Sequence, residues 1–240
     1  MNDKHIVSAF DKDLSDLNQM VARLGGMAEQ QLAAAIQALE SRTLDDVDEI
    51  IAADKKLDEL EHMINERAIE VIAIRSPMAT DLRRIVAALK VGAVLERIGD
   101  YAKNIAKRTK VIIAEERKAG DSISVARIAE AVQQMLNQVL DAYATGNDVL
   151  AMDVWDRDQE VDQMHTGLYS DVLVRLGRDN EMTAVHSHFL FIAKNLERIG
   201  DHTTSVAEQV YYLVHGVMPG DNRPKADAAS STQAVDINES

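Results

Sequence analysis

Apolar residues recur every three to four positions along most of the chain, which is the spacing of amphipathic helices. No segment of useful length shows the two-residue alternation that is typical of a half-buried strand. Six long segments carry the helical pattern. They span about residues 6–39, 44–75, 78–117, 125–144, 149–176 and 181–215.

Short breaks separate these segments and carry capping signals. Residues 41–43 end the first segment, and Thr43 with Asp46 resembles an N-cap entry into the second helix. Ser76-Pro77 offers a hydroxyl cap and a proline suited to the first position of the third helix. Residues 145–148 predict a turn with a cap. Because such short loops join consecutive helices, neighbouring helices should be antiparallel.

The order of helices and breaks predicts an all-α fold of two tandem three-helix bundles. Ala119-Gly120-Asp121-Ser122 is the best boundary between them. The first bundle is therefore expected at 5–118 and the second at 122–216. Residues 217–240 are polar and predict a disordered tail.

A six-residue phrase occurs twice. Leu-Glu-Arg-Ile-Gly-Asp fills residues 95–100 and again residues 196–201, at an offset of 101 residues, which indicates an internal duplication of a whole domain. Within each copy, Glu and Asp are four residues apart and share one helix face. Such like charges destabilise a helix by about 0.2–0.5 kcal/mol. A bound cation is the simplest compensation.

The helix that precedes each copy carries further acidic residues. Asp54 and Asp58 align with Asp158 and Asp162 at an offset of 104, and Glu61 aligns with His165. If the second and third helices of a bundle pack antiparallel, these acidic faces can meet. The candidate metal ligands are then Asp54, Asp58, Glu96, Asp100 and Asn104 in the first bundle, and Asp158, Asp162, Glu197 and Asp201 in the second. Oxygen donors of this kind suit Mg, Ca, Mn or Fe.

A solvated acidic face without metal is the alternative interpretation. Basic residues near the motifs can neutralise the carboxylates directly. They are Arg97, Arg198, Lys55, Lys56 and Lys103. We interpret His165 and His202 as polar surface residues that could also be ligands. His186 and His188 are expected to be structural or exposed, and Trp155 is expected in the core.

Composition narrows the function classes. The formal net charge of −14 argues against binding to nucleic acid or to an anionic membrane, but permits divalent cations and basic partners. The chain has no cysteine, which excludes disulfides and thiolate chemistry and suits a reducing cytoplasm. Neither a secretory signal nor a membrane span is expected. No Gly-rich phosphate loop or hydrolase motif is found, so an enzyme is not predicted.

The doubled phrase, each time preceded by an Asp-x-x-x-Asp helix, resembles the PhoU family of bacterial phosphate-transport accessory and regulatory proteins. Two other segments agree with this resemblance, Gly-Gly-Met-Ala-Glu-Gln-Gln-Leu at 25–32 and Arg-Ser-Pro-Met-Ala-Thr-Asp-Leu-Arg at 75–83. The resemblance covers about residues 5–215. It implies two PhoU-type bundles with pseudo-twofold symmetry, and multinuclear clusters of Mg, Mn or Fe at the acidic motifs. Ser205 replaces the expected Asn, so the second site should bind more weakly or use His165 or His202.

The function implied by the resemblance is regulatory. It is negative regulation of phosphate uptake and of the phosphate-starvation response, as an adaptor between the ATPase subunit of a phosphate ABC transporter and a membrane sensor histidine kinase. A cytoplasmic homodimer is expected, in contact with the membrane only through its partners. Two alternatives stay open: a carboxylate-bridged metalloenzyme (a phosphohydrolase or an oxidase) and a metal-free helical scaffold. A ferritin-like oxidase wants Glu-x-x-His pairs, which Glu96 and Glu197 lack.

Overall fold

A computed structural model describes residues 2–115, 122–176 and 183–220 of the protein. These residues form six helices and no strand, so the predicted all-α fold is confirmed. The helices are α1 (Asn2–Ser41), α2 (Val47–Arg75), α3 (Ala79–Ala114), α4 (Ser122–Thr145), α5 (Asp148–Leu176) and α6 (Thr183–His215).

Each half of the chain is a three-helix bundle, and two helix pairs join the halves. Helices α1, α2 and α3 pack against one another, as do α4, α5 and α6. Helix α3 packs along α6, and α1 packs along α4. The neighbours therefore run in the order α2–α3–α6–α5, with α1 covering the first pair and α4 covering the second.

Helices α3 and α6 are antiparallel. The Arg83 guanidinium packs against Gly216 near one end of the pair, and the Arg108 guanidinium lies 3.9 Å from the centre of the Phe191 ring towards the other end. Between them, the rings of Tyr101 and His202 stack with centroids 5.5 Å apart. Tyr101 and His202 are equivalent positions of the duplication, so their contact lies on the pseudo-twofold axis that relates the halves.

The hydrophobic core follows the same duplication. Buried apolar positions in α1 recur in α4 at the offset of 104 that relates α2 to α5. The matched pairs are Val21 with Val125, Leu24 with Ile128, Ala28 with Val132, and Leu32 with Leu136. Arg42 and Gly146, also 104 residues apart, both adopt a positive φ at the end of the first helix of their half. The same offset of 104 residues therefore relates α1 to α4 and α2 to α5.

Two predicted helix caps are wrong. Asp46, not Thr43, precedes α2, and the Thr43 hydroxyl only accepts the backbone N–H of Asp45. Ser76 closes α2 in a left-handed conformation instead of opening α3, because Pro77 disfavours a right-handed helical conformation at the residue before it. The predicted cap in the 145–148 turn is confirmed, since the Leu150 N–H donates to Asn147 Oδ1 at 3.1 Å.

The predicted break at 119–122 lies almost entirely outside the described residues, and so does the predicted tail beyond residue 220. The domain limits therefore stay predictions. In the three described ranges, none of the helices is sufficiently long and apolar to pass through a membrane.

Gln31 is a polar residue in an otherwise apolar register. It is 4% exposed, its amide donates to the Ile50 carbonyl at 3.0 Å, and its Oε1 has no hydrogen-bond partner among the described residues. Its counterpart in α4 is Met135, which is buried. An unsatisfied buried acceptor costs about 1–3 kcal/mol.

Gln31→Met should therefore raise the free energy of unfolding by about 1 kcal/mol, and the thermal midpoint by about 2–4 °C. Thermal unfolding followed by circular dichroism checks this. A lower midpoint would mean that the Gln31–Ile50 hydrogen bond outweighs the orphaned oxygen.

Candidate functional site

The first acidic cluster lies between α2 and α3. We define it as Asp54, Asp58, Glu61, Glu96 and Asp100. Its members on α2 follow one face because they are spaced by four and three residues, and those on α3 are one turn apart. Antiparallel packing of these two helices brings both sets together, as the sequence predicts.

The charges of the first acidic cluster act on one another. Burial raises the pKa of Glu96 above its ordinary value, and the charges of Asp100 and Asp58 raise it further. Burial also raises the pKa of Asp58, and the negative charge of Asp54 raises it further. Each of these pKa values thus responds to other members of the cluster, as expected for like charges at short range.

Lys103 neutralises part of this cluster. Its ammonium lies 2.5 Å from Asp54 Oδ2 and 2.5 Å from Asp100 Oδ1. Burial alone would lower the pKa of Lys103, but its hydrogen bonds to Asp100 and Asp54 outweigh burial and raise that pKa above its ordinary value. A lysine thus bridges α2 and α3 at the centre of the candidate metal site.

The second acidic cluster lies between α5 and α6. We define it as Asp158, Asp162, His165, Glu197 and Asp201. It is more deeply buried than the first cluster: Asp162 is 3% exposed and Glu197 is 5% exposed, whereas the equivalent Asp58 is exposed and Glu96 is partly buried. Unpaired buried carboxylates are costly, so this cluster has the greater need for positive charge.

Lys194 supplies positive charge to the second acidic cluster. The Lys194 ammonium lies 2.8 Å from Glu197 Oε2. Burial raises the pKa of Glu197, Lys194 lowers it, Asp201 raises it and His165 lowers it. His165 is 3% exposed, so its interpretation as a surface residue is wrong. Its alignment with Glu61 is the signal that places it in the cluster.

The two clusters hold their lysines at different positions of the repeat. Thr204 stands where Lys103 stands in the first half, and its hydroxyl donates to the Asp201 carbonyl. Ala93 stands in the first half where Lys194 stands in the second. Asn104, the fifth predicted ligand, is half-buried one turn beyond Asp100 on α3. Its counterpart Ser205 donates its hydroxyl to the Asp201 backbone carbonyl at 3.2 Å, so that hydroxyl proton is directed at the backbone.

The glycine of the repeated phrase permits the close approach of the cluster helices. A Cβ on Gly99 would lie 2.5 Å from Leu57 Cδ2, and a Cβ on Gly200 would lie 2.8 Å from Asp158 Oδ1. Both distances are shorter than atoms tolerate, so only glycine fits without displacement of α2 or α5 side chains. This role was not evident from the sequence.

The arginines of the repeated phrase lie at the α3–α6 interface. Arg198 Nη1 donates to the Tyr101 hydroxyl at 3.5 Å. The His202 ring stacks on Tyr101, and its pKa is lowered by burial and then by Arg97. His202 is thus half-buried between the two halves, which corrects its interpretation as a surface residue.

The other predicted positions are confirmed. Trp155 is buried and His186 is buried among the α6 core positions. His188 is partly buried, with its Nδ1 3.4 Å from an Arg108 nitrogen. None of these residues belongs to either acidic cluster.

The donor chemistry of both clusters fits a divalent cation, because carboxylate oxygens are ligands of Mg and Mn, and the imidazole of the second cluster also suits Fe. The positions of these side chains fit a bound ion less closely than their chemistry does. Across residues 2–115, 122–176 and 183–220, no three Asp, Glu or His side chains are placed to hold one ion. An ion in the first cluster would have to displace the Lys103 ammonium, and its ligands would have to rotate towards it.

The fold and the clusters together define a class: duplicated helical proteins in which each three-helix bundle carries one acidic cluster. The model of the PhoU domain matches this chain twice, at residues 21–109 and 125–210. The chain therefore belongs to the PhoU family. Two copies of this domain in tandem confirm the predicted fold class.

Relatives of this chain carry the name phosphate-specific transport system accessory protein PhoU homolog. The relative from Caulobacter vibrioides is 40% identical over 95% of this chain and 99% of its own length. That from Rhizobium meliloti is 38% identical over 98% of this chain and 99% of its own length. The crystal structure of PhoU from Pseudomonas aeruginosa superposes with a TM-score of 0.85 at 30% identity, covering 87% of this chain and 100% of that one.

Proposed function

We propose that this protein is a negative regulator of phosphate uptake and of the phosphate-starvation response. The observation that carries the proposal is the near full-length similarity to proteins named as accessories of the phosphate-specific transport system. An accessory protein acts by contact with its transporter, and this proposal requires no catalysis.

We further propose that the protein links the ATPase subunit of the transporter to a membrane sensor histidine kinase, as a cytoplasmic homodimer. The architecture supports an adaptor. Helices α2, α3, α6 and α5 lie side by side, so the two acidic clusters flank the α3–α6 interface. Partners with basic surfaces are complementary to these clusters and to the net charge of −14.

Metal binding is part of the same proposal. Asp54, Asp58, Glu96 and Asp100, with Asn104, would hold Mg, Mn or Fe in the first bundle. Asp158, Asp162, Glu197 and Asp201 would do so in the second. Bound cations would compensate the burial of the Glu96 and Glu197 carboxylates, which raises the pKa of both, and the added repulsion from neighbouring acidic residues. They would also change the charge that the clusters present to a partner.

The regulatory role is tested in cells that depend on this protein. Glu96→Ala combined with Asp100→Ala removes two carboxylates from the first acidic cluster. We expect a phosphate-starvation reporter to be expressed in high phosphate in this variant. The reason is that a partner or metal that needs the cluster is no longer held.

Glu59→Ala is the control, because Glu59 is an acidic residue of α2, the other helix of this cluster, but lies only in an exposed pair with Lys55. It should leave repression intact. Immunoblots confirm that both variants accumulate to parental levels. Normal repression in the double variant would refute a regulatory role for the cluster.

A further inference from the structure

A groove between α1 and α2 lies apart from both acidic clusters. Its volume is about 810 Å³. Its apolar lining includes Met27, Ala34, Ile50 and Ala53. This lining would be covered in a well-packed bundle, since protein interiors rarely leave such space between neighbouring helices.

The second half of the chain contains the matching groove, between α4 and α5, in a filled state. Arg157 lies across it, donating from Nη1 to Gln138 Oε1 at 2.6 Å and from Nη2 to Gln134 Oε1 at 3.2 Å. Only about 340 Å³ of space is left there, beside Asp153 and Asp156. An arginine side chain is thus what this fold uses to close the groove.

The substitutions between the halves explain the difference in volume. At the offset of 104, Arg157 corresponds to Ala53 and Gln138 corresponds to Ala34. Both alanines line the open groove. Gln134 corresponds to Gln30, so one of the two amide groups that hold Arg157 is retained. The first half therefore lacks the filling side chain but has one of the two glutamines that hold it in the second half.

The open groove also has a charge at each end. Asp46 and Glu49 line one end, whereas Arg23 and Lys56 line the other. Glu49, Ala53 and Lys56 follow one face of α2. At 1.5 Å per residue, the opposite charges on this helix are about 10 Å apart. A guanidinium above Ala53 would lie one turn from Glu49, and an anionic group of the same ligand would face Arg23 and Lys56.

We propose that the α1–α2 groove binds an arginine side chain of a partner protein, with the guanidinium in the place that Arg157 takes in the second half. An acidic group of the same partner segment completes the contact at Arg23 and Lys56. The proposal goes beyond the regulatory function and does not depend on it, so either can fail without the other.

The test is a titration of the full-length protein with N-acetylarginine, followed by NMR of methyl-labelled methionine and alanine. We expect saturable shifts of the Met27, Ala34 and Ala53 methyls, with a dissociation constant on the order of millimolar for so small a ligand. N-acetylcitrulline has nearly the same shape as N-acetylarginine but carries no positive charge. Its dissociation constant, measured from the same methyl shifts, should be at least tenfold higher.

Two variants supply matched controls. Ala34→Gln with Ala53→Arg rebuilds the filled groove and should abolish the shift of the Met27 methyl, which is the reporter that remains in this variant. Arg157→Ala empties the second groove, and N-acetylarginine should then also shift the methyl of Ala131, the counterpart of Met27. The shift of the Ala131 methyl in Arg157→Ala tests whether an emptied groove of this fold binds a guanidinium, even if the double variant folds poorly.

Several outcomes would overturn the proposal. No saturable shift in the parental protein would exclude the site. Equal shifts with N-acetylcitrulline would exclude recognition of the guanidinium. Persistence of the Met27 shift in a folded Ala34→Gln, Ala53→Arg variant would place binding elsewhere. Tighter binding of free arginine than of N-acetylarginine would identify a metabolite site and overturn the assignment to a protein side chain.

Discussion

Lys103→Met is expected to lower the free energy of unfolding of the metal-free protein by about 2 kcal/mol. Removing one partner of a fully buried ion pair costs about 3–5 kcal/mol, because the remaining charge is left without compensation. The Asp54 side chain is 9% exposed and that of Asp100 is 44% exposed. The expected cost is therefore below that range. Denaturant unfolding in a chelator-treated buffer measures it.

Lys110→Met is the control for Lys103→Met. Lys110 makes a comparable contact, 2.7 Å from Asp48 Oδ1, but the Lys110 and Asp48 side chains are 48% and 78% exposed. Exposed ion pairs contribute about 0–1 kcal/mol. If the free energy of unfolding falls equally in Lys103→Met and Lys110→Met, then Lys103 contributes no more to stability than an exposed lysine.

The same variant tests the proposed metal site. With the ammonium removed, Mg²⁺ or Mn²⁺ should stabilise Lys103→Met more than the parental protein. A ligand that binds only the folded state at one hundred times its dissociation constant adds about 2.7 kcal/mol. Asp100→Ala with Asp201→Ala should remove this stabilisation. If neither Mg²⁺, Mn²⁺ nor Fe²⁺ raises the midpoint of any of these proteins, the metal proposal fails and Lys103 is the resident cation.

Gly200→Ala is expected to be the other strongly destabilising change, by about 1–2 kcal/mol. The added methyl would lie 2.8 Å from Asp158 Oδ1 and 3.4 Å from a Val161 methyl, and Asp158 is too buried to move aside. Overpacking costs about 1–3 kcal/mol. The better helix propensity of alanine returns up to about 1 kcal/mol of this. Thermal and denaturant unfolding of the purified variant give the difference.

Gly167→Ala separates packing from propensity. Gly167 also lies within a helix, on α5, but a Cβ there would meet no atom within 4 Å. This variant should be stabilised by about 0.4–1 kcal/mol. If Gly200→Ala were as stable as Gly167→Ala, the glycine of the repeated phrase would not be needed for helix approach.

Sequence patterns were sufficient for most of the fold because each helix buries one regular stripe. Ile98, Ala102 and Ile105, for example, follow the three-to-four-residue spacing and are all buried. The caps were harder. Ser76 carries a hydroxyl typical of a helix start, yet its conformation was decided by the following proline.

The candidate site was predicted in outline for a similar reason. Spacing places each acidic pair on one face of its helix, so two pairs on neighbouring antiparallel helices can meet, as Asp54 and Asp100 do. Spacing does not predict which of the nearby lysines and arginines neutralises the acidic residues. Lys103 and Lys56 both lie within three residues of an acidic residue in the sequence, but Lys56 lines the α1–α2 groove, whereas Lys103 bridges α3 and α2. Only the three-dimensional packing separates them.

The stacked rings of Tyr101 and His202 have a mechanical consequence. They occupy the point where the pseudo-twofold axis passes between α3 and α6, and a rotation about that axis leaves nearby atoms almost in place. If one bundle turns relative to the other, the repeated phrases act as the pivot while α2 and α5 sweep through the largest arcs. A partner bound to α2 or α5 would thus be able to turn one bundle relative to the other with a small force, whereas the contact between Tyr101 and His202 would keep its geometry.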